Sequence, residues 1–158
     1  MPIPRAACGT PPPTDATHVA RLAAADVACW VFKSSVPPAH LSPGWRPGTA
    51  RSMARCVRAS YRLDLMATGQ PCLLWVSGRA DAGVHALGAL IAGRQEADGG
   101  PVVPVELTLL PDPLPRAVLL ADPTTRDAEV LRMPAGSNPS WLSPAQFAAV
   151  LDRIGAVQ

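Results

Sequence analysis

The sequence predicts an α+β fold: a small, mostly antiparallel β-barrel with flanking helices. Three observations predict it. Apolar residues make up 48% of a 158-residue chain, which suits one domain with a single core. β-rich apolar runs bounded by Pro and Gly outnumber the segments with helical periodicity. The elements run strand, helix, several strands, helix, without the βαβ alternation of a doubly wound parallel sheet.

Residues 1 to 14 hold five prolines and no periodic pattern, the composition of a disordered arm. Thr14 or Asp15 can cap a short helix over residues 15 to 26, "DATHVARLAAAD". The domain proper is expected over residues 27 to 158. It opens with "VACWVFKSS", a buried strand that Pro37 and Pro38 keep from continuing as strand or helix. "AHLSPGWRPGT" reads as a loop. "ARSMARCVRASYRLDLMATG" then alternates basic and apolar residues at helical spacing, with Met53, Val57 and Tyr61 on one face. Arg51, Arg55, Arg58 and Arg62 fall on another face, and Gly69 stops the segment. "PCLLWVSG" and "GVHALGALIAG" are strands joined by the hairpin-sized "RADA". "PVVPVELTLLP" is a fourth strand. "AVLLAD" reads as a short apolar segment and "EVLRM" as another strand. The last helix has a capping box: Ser143 at the N-cap, Pro144 at N1 and Gln146 three residues on.

Composition narrows the function. Net charge is only +2, so a nucleic-acid surface has to come from local clustering. Cys8, Cys29, Cys56 and Cys72 form no metal-ligand spacing, and His18, His40 and His85 stand apart, so neither metal nor cofactor is expected. Cys29 and Cys72 read as reduced core thiols. No signal-peptide pattern or membrane-length apolar run occurs, which leads to the expectation of a cytoplasmic protein without membrane contact. No GxSxG, HExxH, Walker or GxGxxG motif is present, and no carboxylates pair closely. A hydrolase with partners distant in sequence stays open, because triads assemble in space.

Two features point to binding. Four of the seven aromatic residues are Trp. Trp30 and Trp75 lie in core-like strands, and Trp141 precedes the last helix. Trp45 lies on a Pro/Gly loop, where it either caps the barrel or stacks on a flat base. Five arginines, Arg46 with Arg51, Arg55, Arg58 and Arg62, cluster with Asp64 as the only nearby acid. They are either a solvated face or a phosphate-contacting one. Lys33 is the only lysine among 14 cationic residues. Codon bias explains its rarity; a need for a compact ammonium at the end of the first strand explains its position.

Together these pieces resemble the EVE family of the PUA-like superfamily, related to YTH domains. "CWVFKSS" followed by prolines resembles the opening strand, although the family's Lys-Ser-Glu-Pro is Lys-Ser-Ser-Val here. "GWRPGTARSMARCVRASYR" resembles the Trp loop and the segment after it. "GQPCLLWVSGRADAGVHALGALIAG" resembles the next strand pair, with Gly-Gln in place of the family's Gly-Asp, and "RMPAGSNPSWLSPAQF" the terminal strand, loop and helix. The resemblance implies a PUA-like β-barrel that binds a modified nucleobase in DNA or RNA without catalysis. It implies Trp45 as a cage wall, Lys33 and Ser34 at the pocket border, Trp75 and Ser77 lining it, and Ser137 and Asn138 near the nucleic-acid backbone. A partner nuclease or modification enzyme would fit such a role. The alternatives are an ASCH-like amidohydrolase on a related barrel, which lacks a Glu near Lys33 in the sequence, and a protein-interaction module with a basic face.

Overall fold

A computed structural model describes residues 21–157. The arm over residues 1 to 14 and the helix start at residue 15 lie outside the described residues; the end of that helix is a 3-10 turn, Ala24–Asp26. The chain then forms β1 (Cys29–Ser34), α1 (Pro38–Leu41), β2 (Ala50–Cys56), a 3-10 turn (Tyr61–Leu65), β3 (Pro71–Val76), β4 (Gly83–Leu90), β5 (Gln95–Ala97), β6 (Gly100–Pro115), α2 (Arg116–Ala121), α3 (Glu129–Arg132), β7 (Ser140–Leu142) and α4 (Pro144–Val157). All strands belong to one sheet of order β2-β6-β4-β3-β1-β7, with β5 paired to β6. The pairings are antiparallel except β1 with β3, which is parallel. Among the described residues no ladder joins the end strands β2 and β7. The architecture is therefore a small α+β domain with a mixed sheet and flanking helices.

The alternation of side chains along each strand divides the core in two. On the helix face, Cys29, Val31, Leu73, Trp75 and Leu142 pack with Leu119, Val130, Leu131, Val150 and Ile154. On the inner face, Trp30, Phe32, Leu74, Val76, Val103, Val105 and Leu107 pack with Trp45, Leu63 and Met66. Cys29 and Cys72 are free and buried. Burial pushes the Cys29 thiol well up, and that of Cys72 to about 12, so neither is a nucleophile.

Three elements differ from expectation. The helix expected from Arg51 onward is instead β2, a loop and a 3-10 turn. A spacing of four satisfies a strand as well as a helix, so Arg51 and Arg55 leave the period ambiguous. Pairing decides it: Arg51, Met53 and Arg55 stand opposite Leu107, Val105 and Val103, and share their inner face. Their long stems cover apolar surface there while Ala50, Ser52 and Ala54 face out. The strand expected at "EVLRM" is helix α3, which buries Val130 and Leu131 against the helix face of the sheet. Finally, β1 stops at Ser34 before Pro37 and Pro38 as expected, but the loop expected at "AHLSPGWRPGT" opens with α1, whose first position Pro38 fills, where a missing N–H costs nothing.

Strand β6 is longer than expected and irregular. Val84 faces Leu114 and Ala86 faces Leu109, so residues 110 to 113, "LPDP", bow out opposite His85. His85 is buried there, its Nε2 on the Asp81 carbonyl. Gly88 has a tighter requirement, since any Cβ would collide with the Glu106 carbonyl of β6. The capping box of α4 forms as expected: Ser143 Oγ accepts from Gln146 N at 3.2 Å, and Gln146 Oε1 accepts from Ser143 N at 2.9 Å.

Candidate nucleic-acid interface

Four basic residues, Lys33, Arg55, Arg58 and Arg62, converge at the end of β1, where β2, the 3-10 turn and the segment before β7 meet. Asn138 is the joint. The β1–β7 register runs Cys29 to Leu142 and Val31 to Ser140, so its next pair is Lys33 with Asn138. Pro139 carries no N–H, and the Asn138 side chain makes the pairing instead. Its Oδ1 accepts from Lys33 N at 2.7 Å and its Nδ2 donates to Lys33 O at 3.1 Å. The Asn138 carbonyl accepts from Arg58 N at 2.9 Å, which ties the segment after β2 to the segment before β7.

Lys33 is the second joint. Its Nζ donates to the carbonyls of Met133 and Gly136, both at 2.9 Å, and so holds both ends of the turn 133–136. Burial lowers the Lys33 pKa, the Glu129 charge raises it and the Arg62 charge lowers it further; the net direction is down. Arg62 forms a bidentate pair with Glu129, at 2.8 and 2.7 Å, and a third bond to the Pro139 carbonyl. Ser140 Oγ also donates to Glu129. Burial alone would raise the Glu129 carboxyl, but the Arg62 and Ser140 bonds and the Arg62 and Lys33 charges together hold it below the usual carboxylate range.

The sequence places no Glu beside Lys33; the fold brings Glu129 into its field. Both Glu129 oxygens already accept from Arg62, and the Lys33 ammonium is bonded to two carbonyls. These contacts make a structural pairing, although Glu129 also borders the open cleft beside Arg62. Glu129 carries no signal in the sequence because its partners lie 67 and 11 residues away.

Four of the expected backbone-contacting residues line one cleft. Arg58, Arg62, Ser137 and Asn138, with Met133 and the Glu129 carboxylate, border an open space of about 210 Å³. Arg58 is exposed at its rim, with Nη1 3.4 Å from Ser137 Oγ. Arg46 is also exposed, but on the Trp45 loop. Arg51 reaches that loop too: Nη1 donates to Ser42 Oγ at 2.6 Å and Nη2 to the Gly44 carbonyl at 3.2 Å. Arg55 donates through Nη2 to the Lys33 carbonyl at 3.1 Å. Its buried Nε–H has no acceptor among the described residues, and burial lowers its pKa.

The sheet separates the residues expected around a base. Ser34 and Trp45 are buried and belong to the inner face with Arg51 and Arg55. Lys33 and Trp75 are register partners on the helix face. Trp45 is only 7% exposed, packs within the inner core and donates Nε1–H to the Thr49 carbonyl at 2.9 Å. Ser34 Oγ closes a local turn with Val36. Trp75 and Ser77 border a second cleft of about 590 Å³ together with Arg79, Asp81, Arg116 and Pro134. Among the described residues, no three His, Cys, Asp or Glu side chains gather as a metal site requires.

No family model matches the chain, and no curated protein does. Solved structures do. A hypothetical protein from Leishmania major superposes with a TM-score of 0.64 at 14% identity, over 86% of this chain and 99% of its own. Rpa0253 from Rhodopseudomonas palustris gives 0.62 at 16% identity, over 84% of this chain and 96% of its own. The human THYN1 protein, in complex with 5-methylcytosine-containing DNA, gives 0.52 at 12% identity, over 80% of this chain and 96% of its own. At such identities the likeness is one of fold, and this chain has the fold that these proteins share with the DUF55 domain of human thymocyte nuclear protein 1.

Proposed function

We propose that this chain is a non-catalytic EVE-type module that binds DNA or RNA carrying a modified base. One observation carries the reading. Arg58, Arg62, Ser137 and Asn138 come from two distant segments and border a single open cleft. A phosphate there would meet the exposed Arg58 guanidinium, with the Ser60 and Ser137 hydroxyls as further donors. Arg62 would act indirectly, since Glu129 neutralises it and the pair orders the cleft wall.

The base would enter from the inner face, beside Trp45 and Ser34. The Arg55 Nε–H, buried without an acceptor, suits a base carbonyl or ring nitrogen. Trp45 would supply a stacking edge once loop 42–49 yields, while Arg46 and Arg51 on and beside that loop would meet phosphate. Support for a modified cytosine in DNA comes from the human THYN1 complex, whose fold this chain shares. That face would form the interior of a PUA-like barrel.

The test is a binding screen by fluorescence anisotropy across matched DNA and RNA oligonucleotides, with and without modified bases. A modified-base preference of roughly 10–200-fold, the range one methyl group supplies, supports the reading. Competition by the free modified nucleoside separates it from a basic protein-docking face. Equal binding of modified and unmodified strands would overturn it.

A further inference from the structure

The turn 133–136 separates the two clefts. Met133 and Gly136 border the cleft of Arg58, and Pro134 borders the cleft of Arg79 and Arg116. The turn is firmly held. Gly136 N donates to the Met133 carbonyl at 2.9 Å, and Met133 N donates to the Glu129 carbonyl at 2.7 Å at the end of α3. The Lys33 ammonium clamps the carbonyls of both Met133 and Gly136 from below. Yet Met133 is 53% exposed, more than any other large apolar residue among the described residues. A hydrogen-bonded turn that holds a thioether in water, between two arginine-bearing clefts, suits a surface that meets a partner both apolar and anionic.

We propose that this turn is a ridge crossed by a nucleic-acid strand. Phosphates lie in the clefts on either side, and a base at the crest is unstacked against Met133. The inference rests on the nucleic-acid reading above and extends its footprint to the far side of the turn. Charge is arranged for it. In the near cleft Arg62 neutralises Glu129 and leaves Arg58 available. In the far cleft Arg79 and Arg116 outnumber Asp81. Apolar side chains that wedge between bases are an established means of bending or opening a strand, and Met is among those used.

The experiment uses the full chain and a DNA oligonucleotide carrying 5-methylcytosine, with 2-aminopurine at neighbouring positions to report unstacking. Arg79→Ala with Arg116→Ala should reduce the slope of log K against log salt by about 1.4–1.8 units, depending on whether the strand is single or paired. Met133→Ala should weaken binding by about fivefold, as loss of a partly buried apolar side chain does, and abolish the 2-aminopurine rise. Arg58→Ala serves as the near-cleft control. If Arg58→Ala weakens binding while the far-cleft pair and Met133→Ala leave affinity, slope and fluorescence unchanged, the ridge is overturned and the nucleic-acid reading stands. If the parent chain binds no oligonucleotide, both are overturned. Thermal melting of each variant confirms that the fold is retained.

Discussion

Lys33 bonds through its ammonium to carbonyls 100 and 103 residues further along the chain. That contact gives the one lysine among the arginines a structural role. Two carbonyls converge on one point, which a compact ammonium can satisfy and a planar fork cannot match as well. Lys33→Met is expected to lower stability by about 1.5–3 kcal/mol, the usual worth of hydrogen bonds to a charged group. Lys33→Arg should recover only part of it. Urea denaturation checks this, and a Lys33→Met midpoint equal to the parent's would contradict it. Trp45 carries a similar lesson. Its loop position suggests a free stacking surface, but it is 7% exposed and packed with the inner core. Trp45→Ala is therefore expected to cost about 3–5 kcal/mol, as large-to-small core changes do, whatever its effect on binding. Affinity must then be measured per folded molecule. Gln70 bonds three groups at once: Oε1 accepts from Trp30 Nε1 and Ala67 N at 2.8 Å each, and Nε2 donates to the Leu65 carbonyl.

Between elements, the Arg62–Glu129 pair links the 3-10 turn to α3, and Ser140 brings in β7. The Glu129 carboxyl is held below its ordinary value, so the folded state favours the charged form. Its contribution is present above the unfolded pKa of about 4.3 and is lost as pH falls through the lower folded value. Glu129→Gln should be less stable than the parent at neutral pH by about 1.5–3 kcal/mol, the usual worth of hydrogen bonds to a charged group, because both partners are only partly buried. The gap should narrow as pH falls below about 4. Melting curves across that range test it; a gap that stays constant would show that the charge of Glu129 is not what matters. At α4, Ser143→Ala should cost about 0.5–2 kcal/mol through loss of the N-cap, read as a lowered denaturation midpoint.

For the whole molecule, what counts is the sum of fields rather than net charge. A chain of net charge +2 places Arg58, Arg62, Arg55 and Lys33 around one junction. Oligonucleotide binding is thus expected to weaken steeply with salt, and Arg58→Ala to reduce the log–log slope by about 0.7–0.9 units across all sequences alike. Titrations at several salt concentrations measure it. A slope unchanged by Arg58→Ala would move the phosphate contact away from this cleft.

Several features of the fold are legible in local chemistry alone. The buried strands β1, β3 and β4 follow from apolar runs bounded by Pro and Gly, and the start of α4 from its Ser-Pro-x-Gln signature. The mixed order of elements carries the α+β class. What the sequence leaves open is whatever depends on a partner far along the chain. Arg51 and Arg55 fit a helix or a strand until β6 supplies Val103, Val105 and Leu107 to pair with. "EVLRM" suits a strand by composition, yet its place beside the helix face calls for one turn of helix. The site obeys the same division. The residue types are readable, but which sheet face each takes is settled by register, which is why Ser34 and Trp45 part from Lys33 and Trp75. Glu129 and the Asn138 joint are invisible in the sequence because their bonds span tens of residues. Such long-range contacts form only when the whole chain packs.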